Sequence, residues 1–221
     1  MIINICHLYG NLLNSYGDVG NVMALKYFAE KKGHKVNLDV ISLDDKFDPD
    51  KYDFVFFGGG QDYEQSIVEK DLENKKDNIK KYIENDGLFL AICGGFQLMG
   101  QYYYDAYNKK IEGLKIFDYY TKNQENGNRF VGNVEIKDLT NGDIYHGFEN
   151  HGGVTYLKDK NQAFASVISG NGNNGEDLTE GFRYKNTFAS YLHGPLLARN
   201  ENLVNTFMEI IENNKRLVNK S

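Results

Sequence analysis

Residues 88–97 read "LFLAICGGFQ": a continuous apolar run, then a cysteine, then two glycines. The apolar part has the length and character of a strand buried on both faces. A glycine pair marks a sharp change of backbone direction, and a packed strand has no need of a thiol at its end. The stretch therefore reads as strand, tight turn and helix, with Cys93 on the turn. Such a turn lifts a nucleophile above the sheet and sets it at a helix N-terminus, where a thiol gives up its proton more readily. Ala91, Gly94 and Gly95 are the small neighbours that a crowded turn requires.

Upstream, the same alternation of strand and helix repeats. "IINIC" (2–6) is a short strand, and 18–33 places Val22, Leu25, Phe28 and Ala29 at helical spacing before Gly33. "KVNLDVIS" (35–42) alternates like a strand, and "YDFVFFGGG" (52–60) is a buried strand running into three glycines. A helix is expected over much of 64–85, carrying Ile67, Val68, Leu72, Ile79, Tyr82 and Ile83. "GGFQLMGQYYY" reads as the helix after Cys93. These βαβ units predict an α/β fold with a mostly parallel sheet.

Past residue 110 the pattern changes. "LKIFDYY", "RFVGNVEI", "GVTYL", "FASVI" and "TFASYL" are short aromatic and β-branched runs, separated by turn-rich pieces such as "NQENGN" and "GNGNNGED". They predict antiparallel strands added to, or lying over, the parallel sheet, with a closing amphipathic helix over 200–215. There is no internal repeat and no long linker, so residues 1–221 are expected to form one domain.

Composition narrows the function. The formal net charge of −6 gives no basic footprint for nucleic acid. No stretch approaches the ~18 apolar residues of a membrane helix, and the N-terminus does not read as an export signal. Two cysteines and five histidines make neither a disulfide scaffold nor an evident metal site. The expected compartment is a reducing cytoplasm.

Open parallel sheets bind ligands beyond the carboxyl ends of their strands. Three such ends stand out: "FFGGGQD" (56–62), "AICGGFQ" (91–97) and "YLHGP" (191–195). The triple glycine fits neither dinucleotide nor P-loop spacing. Its free amides suit a developing negative charge, although a flexible turn has the same composition. A thiol nucleophile needs a base, and His193 and His151 are nearly equal candidates on spacing alone.

Together these stretches resemble the class I glutamine amidotransferases, whose Cys and His hydrolyse glutamine to release ammonia. "LNSYGDVGNVMAL" (13–25), "FFGGGQDYEQ" (56–65), "ICGGFQLMG" (92–100), "GFENHGGVTY" (147–156) and "YLHGPLL" (191–197) resemble, within the CobB/CobQ-like branch, the GatD family of lipid II isoglutaminyl synthase subunits. The resemblance implies a flavodoxin-like fold, with Cys93 as nucleophile and His193 as base. It implies oxyanion amides from Gly59 or Gly60 with Gly94, and Gln97 and Arg129 as holders of the glutamine α-amino and α-carboxylate groups. A planar guanidinium independently suits a carboxylate. His151 is read as a structural turn residue.

One departure bears on mechanism. Many relatives carry His-Pro-Glu, whose Glu orients the His, whereas this chain reads His193-Gly194-Pro195. The expectation is that a carboxylate from a partner subunit completes the site; Asp18 in "YGDVGN" reads either as a helix cap or, from its closeness to the family pattern, as a residue that touches the active site or the partner. The resemblance further implies a Mur-ligase-like, MurT-type partner that amidates D-glutamate of lipid II and so gives this chain its only access to the membrane-linked substrate. No cofactor is expected in this subunit; ATP and Mg belong to the partner. The other readings are a cobyric-acid-synthase type of amidotransferase, a non-catalytic module of the same fold, and a flavodoxin-like cysteine peptidase.

Overall fold

The computed structural model describes residues 1–124 and 127–218. Of the turn predicted at "NQENGN", residues 125–126 lie outside that description. Four strands come first: β1 (Ile2–Leu8), β2 (Lys35–Ile41), β3 (Phe54–Phe57) and β4 (Leu88–Ile92). They pair in parallel in the order β4-β3-β1-β2. Between and beside them run α1 (Val19–Lys31), α2 (Asp62–Leu72), α3 (Lys76–Glu84) and α4 (Gly94–Met99).

The single helix expected over 64–85 is two helices, separated by a 3-10 turn at Glu73–Lys75. Lys75 is buried at that break, paired with Asp71 and lying 5.2 Å from the Tyr9 ring. The helix expected to continue through "GQYYY" stops at Met99. Its tyrosines instead form a strand, whose backbone pairs within a second sheet.

Those tyrosines are β5 (Tyr102–Tyr104), which joins β6 (Lys110–Glu112), β7 (Tyr119–Asn123) and β10 (Gly153–Leu157) in a second sheet. The third sheet contains β8 (Phe130–Asp138), β9 (Ile144–His151), β11 (Ala165–Ser169) and β12 (Thr179–Glu180). Pairing in these two sheets is antiparallel except for the short parallel contact between β5 and β7. The chain then returns to the first sheet through β13 (Phe182–Tyr184) and β14 (Thr187–Ser190).

Here the structure corrects the sequence expectation. "TFASYL" supplies β14, which pairs in parallel with β4, Thr187 opposite Phe89 and Ser190 opposite Ile92. All four residues of β14 are buried, as an interior strand of a parallel sheet requires. Only β13, at the edge, runs antiparallel. The chain closes with α5 (Leu196–Arg199) and α6 (Glu201–Val218).

The main sheet divides two apolar layers by strict alternation. Leu88, Leu90 and Ile92 pack with Val22, Leu25, Phe207 and Met208, residues of α1 and α6. Phe89 and Ala91 pack with Val68, Ile79 and Ile83, residues of α2 and α3. Because β1, β3, β4 and β14 are parallel, Asp18, Gly58–Gly60, Cys93 and His193 all follow strands that end at the same edge. Among the described residues, no helix is long and apolar enough to cross a membrane.

Candidate active site

Cys93 joins β4 to α4 with φ 52° and ψ −102°, a left-handed conformation unusual for a residue with a side chain. The turn is held on both sides. The Cys93 amide donates to Ser190 O at 2.9 Å, and the Gln97 amide donates to Cys93 O at 3.0 Å. The two glycines have separate reasons. A methyl on Gly95 would come within 2.4 Å of the Phe57 carbonyl oxygen, and one on Gly94 within 2.2 Å of Gln65 Nε2. The close approach of α4 to the end of β3 thus excludes any larger residue at Gly95.

His193 lies just beyond β14 and is fully buried. Its position is pinned by a reciprocal backbone pair with Phe148, at 3.0 and 2.8 Å. Nδ1 lies 3.0 Å from Asp18 Oδ1. A carboxylate only accepts, so Nδ1 carries the proton and Nε2 is turned to other work. Nε2 has no hydrogen-bond partner among the described residues. Burial would lower the pKa of this ring, but Asp18 and Cys93 outweigh it and push the pKa up to about 10.

The orienting carboxylate therefore comes from within the chain, contrary to the expectation that a partner must supply it. Nor is Asp18 a helix cap by its side chain: the first amide of α1, Val19 N, is capped by Asn14 Oδ1 at 2.8 Å. The second oxygen of Asp18 accepts from Gly59 N at 3.0 Å. Sequence reasoning left Asp18 between a helix cap and a contact to the active site and did not assign it this role, although a carboxylate shortly beyond the end of β1 was the available signal.

That bond changes the picture at the triple glycine. The Gly59 amide is engaged by Asp18 and is not free for an oxyanion. The amides of Gly60 and Gly94 make no hydrogen bond among the described residues. They are also neighbours, since a methyl on Gly94 would lie 3.2 Å from Gly60 N. Cys93 itself is adjacent: a methyl on Gly59 would come within 3.1 Å of Cys93 Cβ and 3.4 Å of His193 Cε1.

A cavity of about 650 Å³ opens over this edge, lined by Cys93, Gly60, Gln97 and Arg129 together with Tyr16, Asp62 and His151. Arg129 is fixed by two bonds to one residue, Nε to Asn150 Oδ1 at 3.0 Å and Nη2 to Asn150 O at 2.9 Å. Gln97 differs from its expected role. Its Oε1 accepts from Gln65 Nε2 at 3.2 Å and its Nε2 donates to Tyr191 Oη at 3.3 Å, which ties the amide into the cavity wall. The half-exposed Tyr16 ring, 4.8 Å from that of His193, covers one side of the imidazole.

His151 is buried, with its ring flat against Tyr191 at 3.7 Å and Nδ1 2.7 Å from Gly153 O. Burial lowers its pKa. It makes no contact with Asp18 of the kind His193 makes. The geometry thus separates the two histidines that spacing alone left nearly tied.

Residues 4–201 match the CobB/CobQ-like glutamine amidotransferase domain. The chain belongs to that family. It is 56% identical over 201 residues to the lipid II isoglutaminyl synthase (glutamine-hydrolyzing) subunit GatD of Streptococcus pneumoniae, covering 91% of this chain and 77% of that protein. The GatD subunit of Staphylococcus aureus is 40% identical, with 94% and 83% covered. A probable cobyric acid synthase of Methanocaldococcus jannaschii is 29% identical over 75% of this chain and 34% of its own. The amidotransferase fold is shared with the glutaminase domain of Trypanosoma brucei CTPS, at a TM-score of 0.59 and 11% identity over 96% of this chain and 94% of that one.

Proposed function

We propose that this chain is the glutaminase subunit of a two-subunit amidotransferase of the lipid II isoglutaminyl synthase type. The observation that carries the reading is the Asp18–His193 pair set beside Cys93, in a chain of the glutamine amidotransferase family. The identity to two GatD subunits, higher and over more of each protein than to cobyric acid synthase, favours this substrate system.

The Cys93 thiolate attacks the side-chain carboxamide carbon of L-glutamine. The carbonyl oxygen gains the charge and is received by the Gly60 and Gly94 amides. Protonated His193 gives its proton from Nε2 to the departing ammonia, and the C–N bond breaks to leave a glutamyl thioester. Neutral His193 then takes a proton from water, whose oxygen attacks the thioester. Glutamate leaves and the thiolate and imidazolium are restored. Asp18 keeps Nδ1–H in place throughout, so Nε2 always faces the reaction.

The ammonia passes to an ATP-dependent, Mur-ligase-like partner of MurT type, which amidates D-glutamate in the lipid II stem peptide on the cytoplasmic side. ATP and Mg reside in that partner, and this chain needs no cofactor of its own. The decisive test is intact mass after incubation with a diazo-ketone analogue of glutamine, with and without the partner. One adduct on Cys93, absent from Cys93→Ala, supports the reading. No adduct in either setting overturns it.

A further inference from the structure

The cavity over Cys93 carries one acidic and one basic side chain among its lining residues, Asp62 and Arg129; His151 is the other titratable nitrogen base there, and burial lowers its pKa. A free α-amino acid presents the complementary pair, an ammonium and a carboxylate on one carbon. Arg129 has Nη1 to spare for the carboxylate, since its Nε and Nη2 are both held by Asn150. The ammonium needs acceptors of its own, and a carboxylate is the strongest that the wall can supply.

Several of the neutral acceptors are already engaged, and none of the neutral groups brings the negative charge that best answers an ammonium. Gln97 Oε1 accepts from Gln65. Asn150 O accepts from Arg129, Gly152 O from Gln124 N at 2.9 Å, and Gly153 O is paired with His151 Nδ1. Asp62 is different. Its Oδ2 accepts from Ala106 N at 2.9 Å, which holds the side chain in place, while Oδ1 accepts nothing among the described residues. Beside it lies a second unused acceptor. The Tyr103 hydroxyl has no hydrogen-bond partner among the described residues although the residue is only 1% exposed, and it lines the same cavity. Burial, with Asp62 and Asp105 near by, pushes the Tyr103 pKa up, so the hydroxyl stays neutral.

Position along the chain agrees. Asp62 follows the Gly60 amide by two residues, a separation of at most about 7 Å. An extended glutamine separates its carboxamide oxygen from its α-nitrogen by a comparable span, so one molecule reaches both. We infer that Asp62, with the Tyr103 hydroxyl beside it, receives the α-ammonium group of the substrate and so selects a free α-amino acid over other carboxamides. This assignment rests on the glutaminase reading and adds the residue that sets its specificity.

The test compares two substrates, L-glutamine and 4-carbamoylbutanoate, which is glutamine without its α-amino group. Both are supplied to the full chain with its ligase partner, and ammonia release is measured. Asp62→Asn keeps an oxygen for Ala106 N, so the loop stays tied. The expected result is a KM for L-glutamine raised about 30-fold with kcat nearly unchanged, and kcat/KM for 4-carbamoylbutanoate changed by less than about 2-fold. Asp62→Glu should recover part of the preference. Equal losses on both substrates, or no loss on either, would overturn the assignment while leaving the glutaminase reading intact. If the unmodified chain releases ammonia from neither, the glutaminase reading falls and the assignment falls with it.

Discussion

Asp18 Oδ1 lies 3.0 Å from His193 Nδ1, across 175 residues of sequence, and both side chains are fully buried. The pair is possible because β1 and β14 are parallel members of one sheet, so the loop after one and the turn after the other meet at a single edge. Gly59 N–H holds the other carboxylate oxygen. A charge taken out of water in this way must be paired and hydrogen-bonded, and Asp18 is both. The imidazole is thereby fixed in one tautomer without the carboxylate two residues downstream that many relatives use.

Asp18→Asn should therefore be nearly inactive while still folded. Asparagine has one acceptor oxygen. If that oxygen keeps Gly59 N–H, its NH2 group faces Nδ1, and the imidazole must carry its proton on Nε2 instead. The expected loss in kcat is about 10⁴-fold, with little change in KM. Glutamine hydrolysis measured by ammonia release, alongside a thermal melt, checks it. Retention of most activity would mean that another carboxylate, for instance one from the partner, does the orienting.

Asn21 carries the next consequence. It is buried on α1, where Oδ1 accepts from Leu197 N at 2.8 Å and Nδ2 donates to Asp18 O at 3.1 Å. It therefore ties the loop that bears Asp18 to the segment that follows His193. Asn21→Ala leaves the Leu197 amide buried and unpaired, at a cost of about 1–3 kcal/mol. A fall in Tm of roughly 3–8 °C is expected, with kcat reduced more than KM is raised. Unchanged kcat in a destabilised protein would show that the tie is structural only.

Much of this arrangement was legible from residues 88–97. The apolar run, the small residues and the change of direction located Cys93, and the turn observed there has the strained backbone that the glycines allow for. The strand "TFASYL" was harder to place, because a short run apolar on every residue carries no period that distinguishes a parallel interior strand from an antiparallel one. Asp18 was left between two roles for a related reason. Its position at the start of α1 fits a cap, and only the meeting of β1 and β14 in space reveals that Asn14 caps the helix while Asp18 turns to His193. Gln97 and Gly59 line up with the motif in sequence, but their polar groups are already bonded inside the chain.

The glycine pair itself makes a contrast that can be measured. On Gly95 a methyl meets the Phe57 and Gly58 backbone carbonyls, which cannot swing away. Gly95→Ala should cost about 1–3 kcal/mol and displace the Gly58–Gly60 loop. On Gly94 the first obstacle is the far end of the Gln65 side chain, which can move. Gly94→Ala should therefore fold nearly normally yet lose activity by about 100-fold, because the methyl sits beside the Gly60 amide. Thermal melts and ammonia release on the two variants separate the effects. An active Gly94→Ala protein would exclude the Gly60–Gly94 pair as the oxyanion site.

Glu180 gives a pH dependence whose sign is fixed by burial. The carboxyl is fully buried behind the strand that leads to His193, where Oε1 accepts from Ser190 Oγ at 2.7 Å and Tyr191 N at 2.8 Å while Oε2 has no partner among the described residues. Burial raises its pKa from 4.5 to about 7, despite the two donors that favour the anion. The folded state therefore holds this proton more tightly than the unfolded chain does. The resulting stabilisation is fully present below pH 4.5 and is lost as pH rises through 7. Glutamine at this position mimics the protonated form and keeps Oε1 for both donors. Glu180→Gln should match the unmodified protein near pH 5 and exceed its Tm by about 5–10 °C near pH 8.5. Melting curves across that range decide it. A variant less stable at the higher pH would mean that the fold favours the Glu180 anion and that burial does not hold its pKa up.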